Sequence, residues 1–142
     1  MEHLDLEGKS VLDFGTGTGV LAILADMLGA TDITGIDNDE WAVENAVENV
    51  QRNSKEGIAI FRATLEELPE RQYDVILANI NRHILIQCMG GLFARLHKGG
   101  DLLMSGLLAE DEMIIRKEAE AAGFNVSGVS HRNGWISVLC RK

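Results

Sequence analysis

The chain has little proline, cysteine, aromatic character or positive charge. Of its 142 residues one is proline, Pro69, and two are cysteine, Cys88 and Cys140; aromatic residues make up 5%. A single proline leaves no proline-rich linker, and the 15 glycines are dispersed, so no low-complexity tract divides the sequence. Two distant cysteines without CxxC spacing argue against a disulfide framework and for inert thiols. His3, His83, His97 and His131 are equally scattered, and no metal-ligand spacing links them, so no metal is expected. No apolar run approaches the roughly 20 residues that span a bilayer. The opening MEHLDLEGKS is polar and acidic, unlike a secretory signal. These absences point to a cytoplasmic protein with no membrane association.

Basic residues number 13 against 22 acidic ones, a net charge of −9. That balance repels a phosphate backbone, and no Lys/Arg stripe offsets it, so nucleic acid is not an expected partner. A basic protein partner suits it, because opposite fields speed encounter. With 46% hydrophobic and 25% charged residues, 142 residues fit one globular domain with one core.

What is present is an alternation of strand and helix patterns. Ser10–Phe14, Asp32–Asp37, GIAIFRA and Tyr73–Asn79 read as strands, the last nearly all apolar, as a central parallel strand is. DLLMSGLL reads as a fifth strand, set off by HKGG as a turn. Val20, Leu21, Leu24, Met27 and Leu28 follow at helical spacing and mark the first helix, with Thr18 able to cap its start and Gly29 its end. A second, NDEWAVENAVENVQRN, places Trp41, Val43, Ala46, Val47 and Val50 on one face, with Asp39 and Glu40 at the positive end of its dipole. RHILIQCMGGLFARL is helical, with Gly90-Gly91 marking a break or a close contact, and EDEMIIRKEAEAAG is a fourth helix. Both tryptophans, Trp41 and Trp135, read as packing residues; the acids at 66–67 and 110–112 read as solvated. FNVSGVSH and WISVLCRK, joined around RNG, form a closing hairpin. The pattern predicts an α/β three-layer sandwich: a doubly wound, mostly parallel, seven-stranded sheet with a C-terminal antiparallel hairpin.

The most informative stretch is VLDFGTGTGVLAI, residues 11–23. Three alternate glycines, Gly15, Gly17 and Gly19, lie between a buried strand and a helix. Such a turn lets backbone N–H groups face a ligand at the sheet edge, where a side chain would block the approach. The pattern is GxGxG preceded by Asp13, and Val20 stands where a dinucleotide fingerprint has its third glycine, which disfavours an NAD-dependent oxidoreductase. No Walker lysine follows, so P-loop chemistry is disfavoured too. Asp37 closes the second strand 22 positions after Gly15, near the spacing at which an acid accepts from ribose hydroxyls. A helix-cap role for Asp37 remains the alternative. Asn79 ends the fourth strand, at the edge where open α/β sheets bind ligands; a turn or cap asparagine is its alternative.

VLDFGTGTGVLAI, GIDND, ILANIN and LLMSGLL, in this order, resemble the class I S-adenosylmethionine-dependent methyltransferases. More narrowly, LANIN, LLMSGLLAED, EAEAAGF and GWISVLCRK resemble the catalytic domain of the bacterial enzymes that methylate amino groups of ribosomal protein L-eleven. The resemblance runs from about Leu6 to the C-terminus and implies a Rossmann-like methyltransferase fold. It implies S-adenosylmethionine as cofactor, S-adenosylhomocysteine as product, and a basic ribosomal protein as partner. By the same resemblance the backbone around Gly15, Thr16, Gly17 and Gly19 holds the methionine part of the cofactor, and Asp13 supports that loop and the cofactor's amino group through water. Asp37 then binds the ribose, Asn38 lies against the adenine with Thr64 nearby, and Asn79, followed by Ile80, stands at the substrate-amine position as the catalytic pair.

The chain departs from the family at Ala63, where an acidic residue near the adenine is usual, and at Lys98, where the turn usually has proline. It is expected to correspond to the catalytic domain alone, residues 1–142, without the N-terminal substrate-recognition domain. ANIN leaves two alternatives open: a small-molecule methyltransferase of the same fold, and a non-catalytic cofactor-binding module. The Asn-Pro-Pro-aromatic motif of nucleic-acid- and glutamine-modifying relatives is missing, with Arg82 and His83 in place of its proline-aromatic portion.

Overall fold

Parity along the strands builds the molecule. In the computed structural model, which describes residues 4–53 and 57–142, Leu12 and Phe14 of the first strand belong to one hydrophobic core while Val11 belongs to another. The fourth strand divides the same way: Ile76 and Ala78 face one core, Val75 and Leu77 the other. A strand buried on both faces is the mark of a central parallel position.

The elements run β1 (Ser10–Phe14), α1 (Val20–Met27), β2 (Asp32–Asp37), α2 (Glu40–Arg52), β3 (Ile58–Arg62), β4 (Tyr73–Asn79), α3 (Arg82–Ala94), β5 (Leu96–Leu108), a 3₁₀ turn (Ala109–Asp111), α4 (Glu112–Ala122), β6 (Asn125–Arg132) and β7 (Trp135–Arg141). The seven strands form one sheet in the order β3-β2-β1-β4-β5-β7-β6. β1 through β5 pair in parallel, and β7 runs antiparallel between β5 and β6. Helices α1 and α2 pack with β1, β2 and β3, whereas α3 and α4 pack with each other and with β5, β6 and β7. This is the expected three-layer, doubly wound sandwich. Strand order reverses between β1 and β4, which opens a crevice at their carboxyl ends. Among the described residues no helix is long and apolar enough to cross a membrane.

A polar staple holds the opposite end of β1 to β4. The Ser10 N–H and hydroxyl donate to Asp74 Oδ2 at 2.9 and 3.1 Å, and the Asp74 N–H donates back to Ser10 Oγ at 3.0 Å. These bonds hold the Asp74 carboxyl below its ordinary range.

Several local expectations give way to tertiary packing. On α1 the buried residues are Ala22 and Ala25, whereas Val20, Met27 and Leu28 are exposed. Gly19, in the left-handed region, occupies the cap position in place of Thr18 and makes no side-chain cap bond. On α2, Ala46 and Val50 are buried but Trp41 is 75% exposed and Val47 also reaches solvent; Trp135, at 54%, is no core residue either. α3 runs unbroken through Gly90-Gly91, and Gly91 marks a close contact: a Cβ there would come within 3.0 Å of Leu65. HKGG is not a free turn but part of β5. Its backbone bonds the chain end, Gly99 N–H to the Lys142 carbonyl and Lys142 N–H to the Gly100 carbonyl, each at 2.9 Å.

The fold also dictates Gly35 in the middle of β2. A Cβ at this position would lie 2.7 Å from Ile60 Cδ1 and 2.8 Å from Thr16 Oγ1. The isoleucine tip can turn away, but Thr16 is β-branched and hydrogen-bonded. Gly35→Ala is therefore expected to destabilise the protein by about 1–3 kcal/mol, the usual cost of overpacking. Urea denaturation measures this, and an unchanged midpoint would show that the turn beside β2 yields freely.

Candidate functional site

The turn from β1 into α1 is stitched to the end of β2. The N–H groups of Gly15 and Thr16 both donate to the Ile36 carbonyl, at 2.9 and 2.8 Å. Gly17 N–H donates to Asp37 Oδ2 at 3.1 Å, and Gly19 N–H to the Thr16 carbonyl at 2.8 Å. Gly15, Gly17 and Gly19 all have positive φ, at 75°, 55° and 82°, the left-handed region that favours glycine. Of the N–H groups expected to face a ligand, the four of Gly15, Thr16, Gly17 and Gly19 are instead bonded inside the protein.

Beneath the turn lies Asp13, 0% exposed. Its Oδ2 accepts from the Thr16 hydroxyl at 2.8 Å, while Oδ1 has no hydrogen-bond partner among the described residues. Burial raises its pKa from 3.8 to about 6, against hydrogen bonds from the Thr16 hydroxyl and the Ala22 backbone, and the nearby Asp37 charge raises it further. An unpartnered buried carboxylate oxygen is costly unless something satisfies it.

Asp37 is not the cap of α2. That position belongs to Asp39, whose side chain accepts from Trp41 N–H at 3.0 Å. The Asp37 carboxylate instead bridges two segments, taking Gly17 N–H on one oxygen and Asp39 N–H on the other, at 3.1 and 3.0 Å. Each oxygen keeps a further acceptor site. Asn79 is likewise no cap, because Asn81 caps α3 by accepting from His83 N–H at 2.7 Å. The Asn79 side chain is exposed at the end of β4, where the strand pairs with Ser105 of β5.

A cleft of about 260 Å³ opens beside the turn. Gly15, Asp37, Asn38, Thr64 and Ile80, all expected at the site, line it. Its apolar walls come from Phe14, Ile36, Leu65 and Ile84, and further polar groups from Glu66 and Gln87. Asp13, Thr16, Gly17, Gly19 and Asn79, also expected at the site, do not line this cleft. Sequence reasoning missed the α3 contribution of Ile84, Gln87 and Cys88. Their i, i+3, i+4 spacing puts them on one helix face, a signal that was there to read. Glu67 is solvated as expected, yet it also receives Thr64 N–H at 3.0 Å, which holds its carboxyl below the ordinary range.

Asp111 departs from the solvated acids around it. It is buried, accepts from Arg82 at 2.8 Å and from Leu108 N–H at 3.0 Å, and so ties the segment after β4 to the segment after β5. Burial raises the Cys88 thiol pKa and pushes that of Cys140 up to about 12, so neither is a thiolate at neutral pH. Among the described residues no three His, Cys, Asp or Glu side chains gather as a metal site.

Comparison with known proteins places this geometry in a family. The family model described as ribosomal protein L11 methyltransferase (PrmA) matches residues 1–142. The ribosomal protein L11 methyltransferase of Bacteroides fragilis is 43% identical over 135 residues, covering 94% of this chain and 48% of that protein. A crystal structure of the ribosomal protein L11 methylase from Lactobacillus delbrueckii subsp. bulgaricus superimposes with a TM-score of 0.93 at 28% identity, covering 99% of this chain and 74% of that one. A putative S-adenosylmethionine-dependent methyltransferase from Listeria monocytogenes shares the fold, with a TM-score of 0.82 at 15% identity over 98% of this chain and 93% of that one. The chain spans about half the length of the curated relatives it matches.

The buried carboxyl generates a pH prediction. Between its ordinary value of 3.8 and about 6, Asp13 keeps its proton in the folded state but has lost it in the unfolded chain. Stability from this group is therefore full at low pH and falls as pH rises through that window. The shift corresponds to about 3 kcal/mol. Denaturant titrations should show the wild-type protein losing about that much relative to Asp13→Asn between pH 4 and 7; a stability difference independent of pH would contradict it.

Proposed function

The chain belongs to the ribosomal protein L11 methyltransferase family, and on that footing we propose that it transfers methyl groups from S-adenosylmethionine to amino groups of a protein, lysines of a large-subunit ribosomal protein. The observation that carries this reading is the meeting of three features at the crevice between β1 and β4. They are a side-chain-free turn, a buried carboxylate with an unpartnered oxygen beneath it, and a second carboxylate on the neighbouring strand's end.

These features fit the cofactor. Four of the turn's amides are bonded within the protein, and the carboxylates of Asp13 and Asp37 beside it favour the cationic amino group of an amino-acid tail over phosphate. A Cβ at Gly17 would meet nothing closer than 4.0 Å, so the turn is bare on the side where a ligand can approach. The free acceptor sites of Asp37 suit ribose hydroxyls, and the apolar walls of the cleft suit a flat base, with Asn38 and Thr64 at its side. Asp13 supports the turn through Thr16 and reaches the amino group by way of water. In this reading Gly15, Thr16, Gly17 and Gly19 shape the seat of the methionine part.

When bound, S-adenosylmethionine supplies a sulfonium methyl that an amine takes by in-line displacement, with S-adenosylhomocysteine as product. The chain's own task is to present that amine neutral and aligned. A lysine amine has an ordinary pKa of about 10.4, and a partly apolar mouth lowers it. Asn79 Oδ1 and the Ile80 backbone carbonyl are the catalytic acceptors: they take the amine's hydrogens and point its lone pair. The Ile80 side chain, 3.1 Å from where a Gly15 Cβ would sit, closes the wall between turn and amine. The net charge of −9 favours encounter with a basic substrate.

Two variants separate binding from turnover. Asp37→Ala is expected to weaken calorimetric S-adenosylhomocysteine binding by about 10- to 100-fold, the value of hydrogen bonds to a charged group. Asn79→Ala is expected to lower methyl transfer to ribosomal protein L11, followed by mass spectrometry, by about 100-fold, with cofactor binding retained. Methylation of a small amine but not of L11 would move the reading to a small-molecule enzyme. Absent cofactor binding by the wild-type chain would sink it altogether.

A further inference from the structure

β5 carries an extra residue at the point where it passes the end of β4. Met104 pairs with Val138 and Leu107 with Ile136, so three steps along β5 face two along β7. Ser105 and Gly106 absorb the difference, Ser105 opposite Asn79 and Gly106 at φ +74°. A β-bulge with glycine in the left-handed region bends its strand and re-aims what lies beside it. Here the neighbour is Asn79: a Cβ on Gly106 would fall 2.3 Å from Asn79 Oδ1 and 3.5 Å from its Cγ. No other atom lies within 4 Å of that position, and both residues are exposed. No described residue hydrogen-bonds the Asn79 side chain, and the missing side chain at Gly106 leaves the space its amide oxygen occupies.

We propose that Gly106 is a positioning residue for methyl transfer: the bulge keeps open the space in which the Asn79 amide lies and from which an incoming amine reaches Oδ1. The inference rests on the reading of Asn79 as the amine acceptor. A side chain at position 106 displaces that amide and covers the oxygen at once, while the Gly15–Gly19 turn and the cleft stay untouched. Gly106 thus governs turnover and not cofactor affinity. The arrangement also explains why this strand tolerates an irregularity at its carboxyl end, where a regular ladder would carry a side chain into the site.

The test compares Gly106→Ala and Gly106→Asn with Asn79→Ala and the double variant Gly106→Ala/Asn79→Ala in the full chain. Gly106→Ala is expected to lower kcat toward ribosomal protein L11 by about 100-fold, the scale of a misplaced reacting group, with calorimetric S-adenosylhomocysteine affinity unchanged. Gly106→Asn should be equally impaired. Asparagine accepts positive φ, so its rescue of activity would mean that backbone strain, not the amide, is what glycine relieves. In the Asn79→Ala background the Gly106 change should cost nothing further; an additive loss overturns the inference. A readout free of turnover is the ¹H–¹⁵N signal of the Asn79 side-chain amide, which should move in Gly106→Ala while the Gly15 and Gly17 backbone signals hold. An unmoved Asn79 signal also overturns the inference. Full activity of Asn79→Ala would instead defeat the reading of Asn79 as the acceptor, and the two failures are told apart by that single variant.

Discussion

The site depends on the Ile36 carbonyl accepting two successive amides, those of Gly15 and Thr16. That double bond draws the turn after β1 onto the end of β2 and leaves it little freedom. Once the turn is held there, Gly17 reaches Asp37, Asp37 reaches the start of α2, and Gly19 meets Ala46 so closely that a Cβ would sit 3.3 Å away. Positive φ at all three alternate glycines follows from the sharpness of the bend. Their role is conformational first, and the bare surface offered to a ligand is a consequence.

The same constraint organises charge. Asp13 is buried under the bend because β1 must be central, with both faces covered. Its carboxylate pays for that burial in a raised pKa, offset in part by Thr16. Thr16 in turn is pinned against Gly35, whose missing side chain gives the hydroxyl its place. Two acids therefore stand at one crevice in different states of satisfaction: Asp37 anchored by amides on both oxygens, Asp13 anchored on one.

On the other side of the crevice the end of β4 is framed by two further links. Arg82 and Asp111 hold the segments after β4 and β5 together, and Asn81 caps α3 so that Asn79 is left out of local bonding. The α3 face of Ile84, Gln87 and Cys88 completes the cleft against the segment after β3. That segment packs Leu65 and Leu68 into the core beside α3, and the close contact of Leu65 with Gly91 fixes how near it comes.

The order and kind of the elements, the α/β sandwich and the position of the glycine turn, Asp37 and Asn79 at strand ends were all written in the sequence. They rest on local periodicity, on glycine's unique φ range and on the apolar runs that β1 and β4 need, and each of these is set by residues close in the chain. Tertiary structure alone decided which apolar side chains were buried. It chose Ala22 and Ala25 over Val20 and Met27, and left Trp41 in solvent, because the distance between helix and sheet depends on every strand at once. It also decided that the amides of Gly15, Thr16 and Gly17 are bonded to the end of β2 and that Gly106 borders Asn79. Such pairings join residues about 20 to 30 positions apart, and no pattern within one element can specify them.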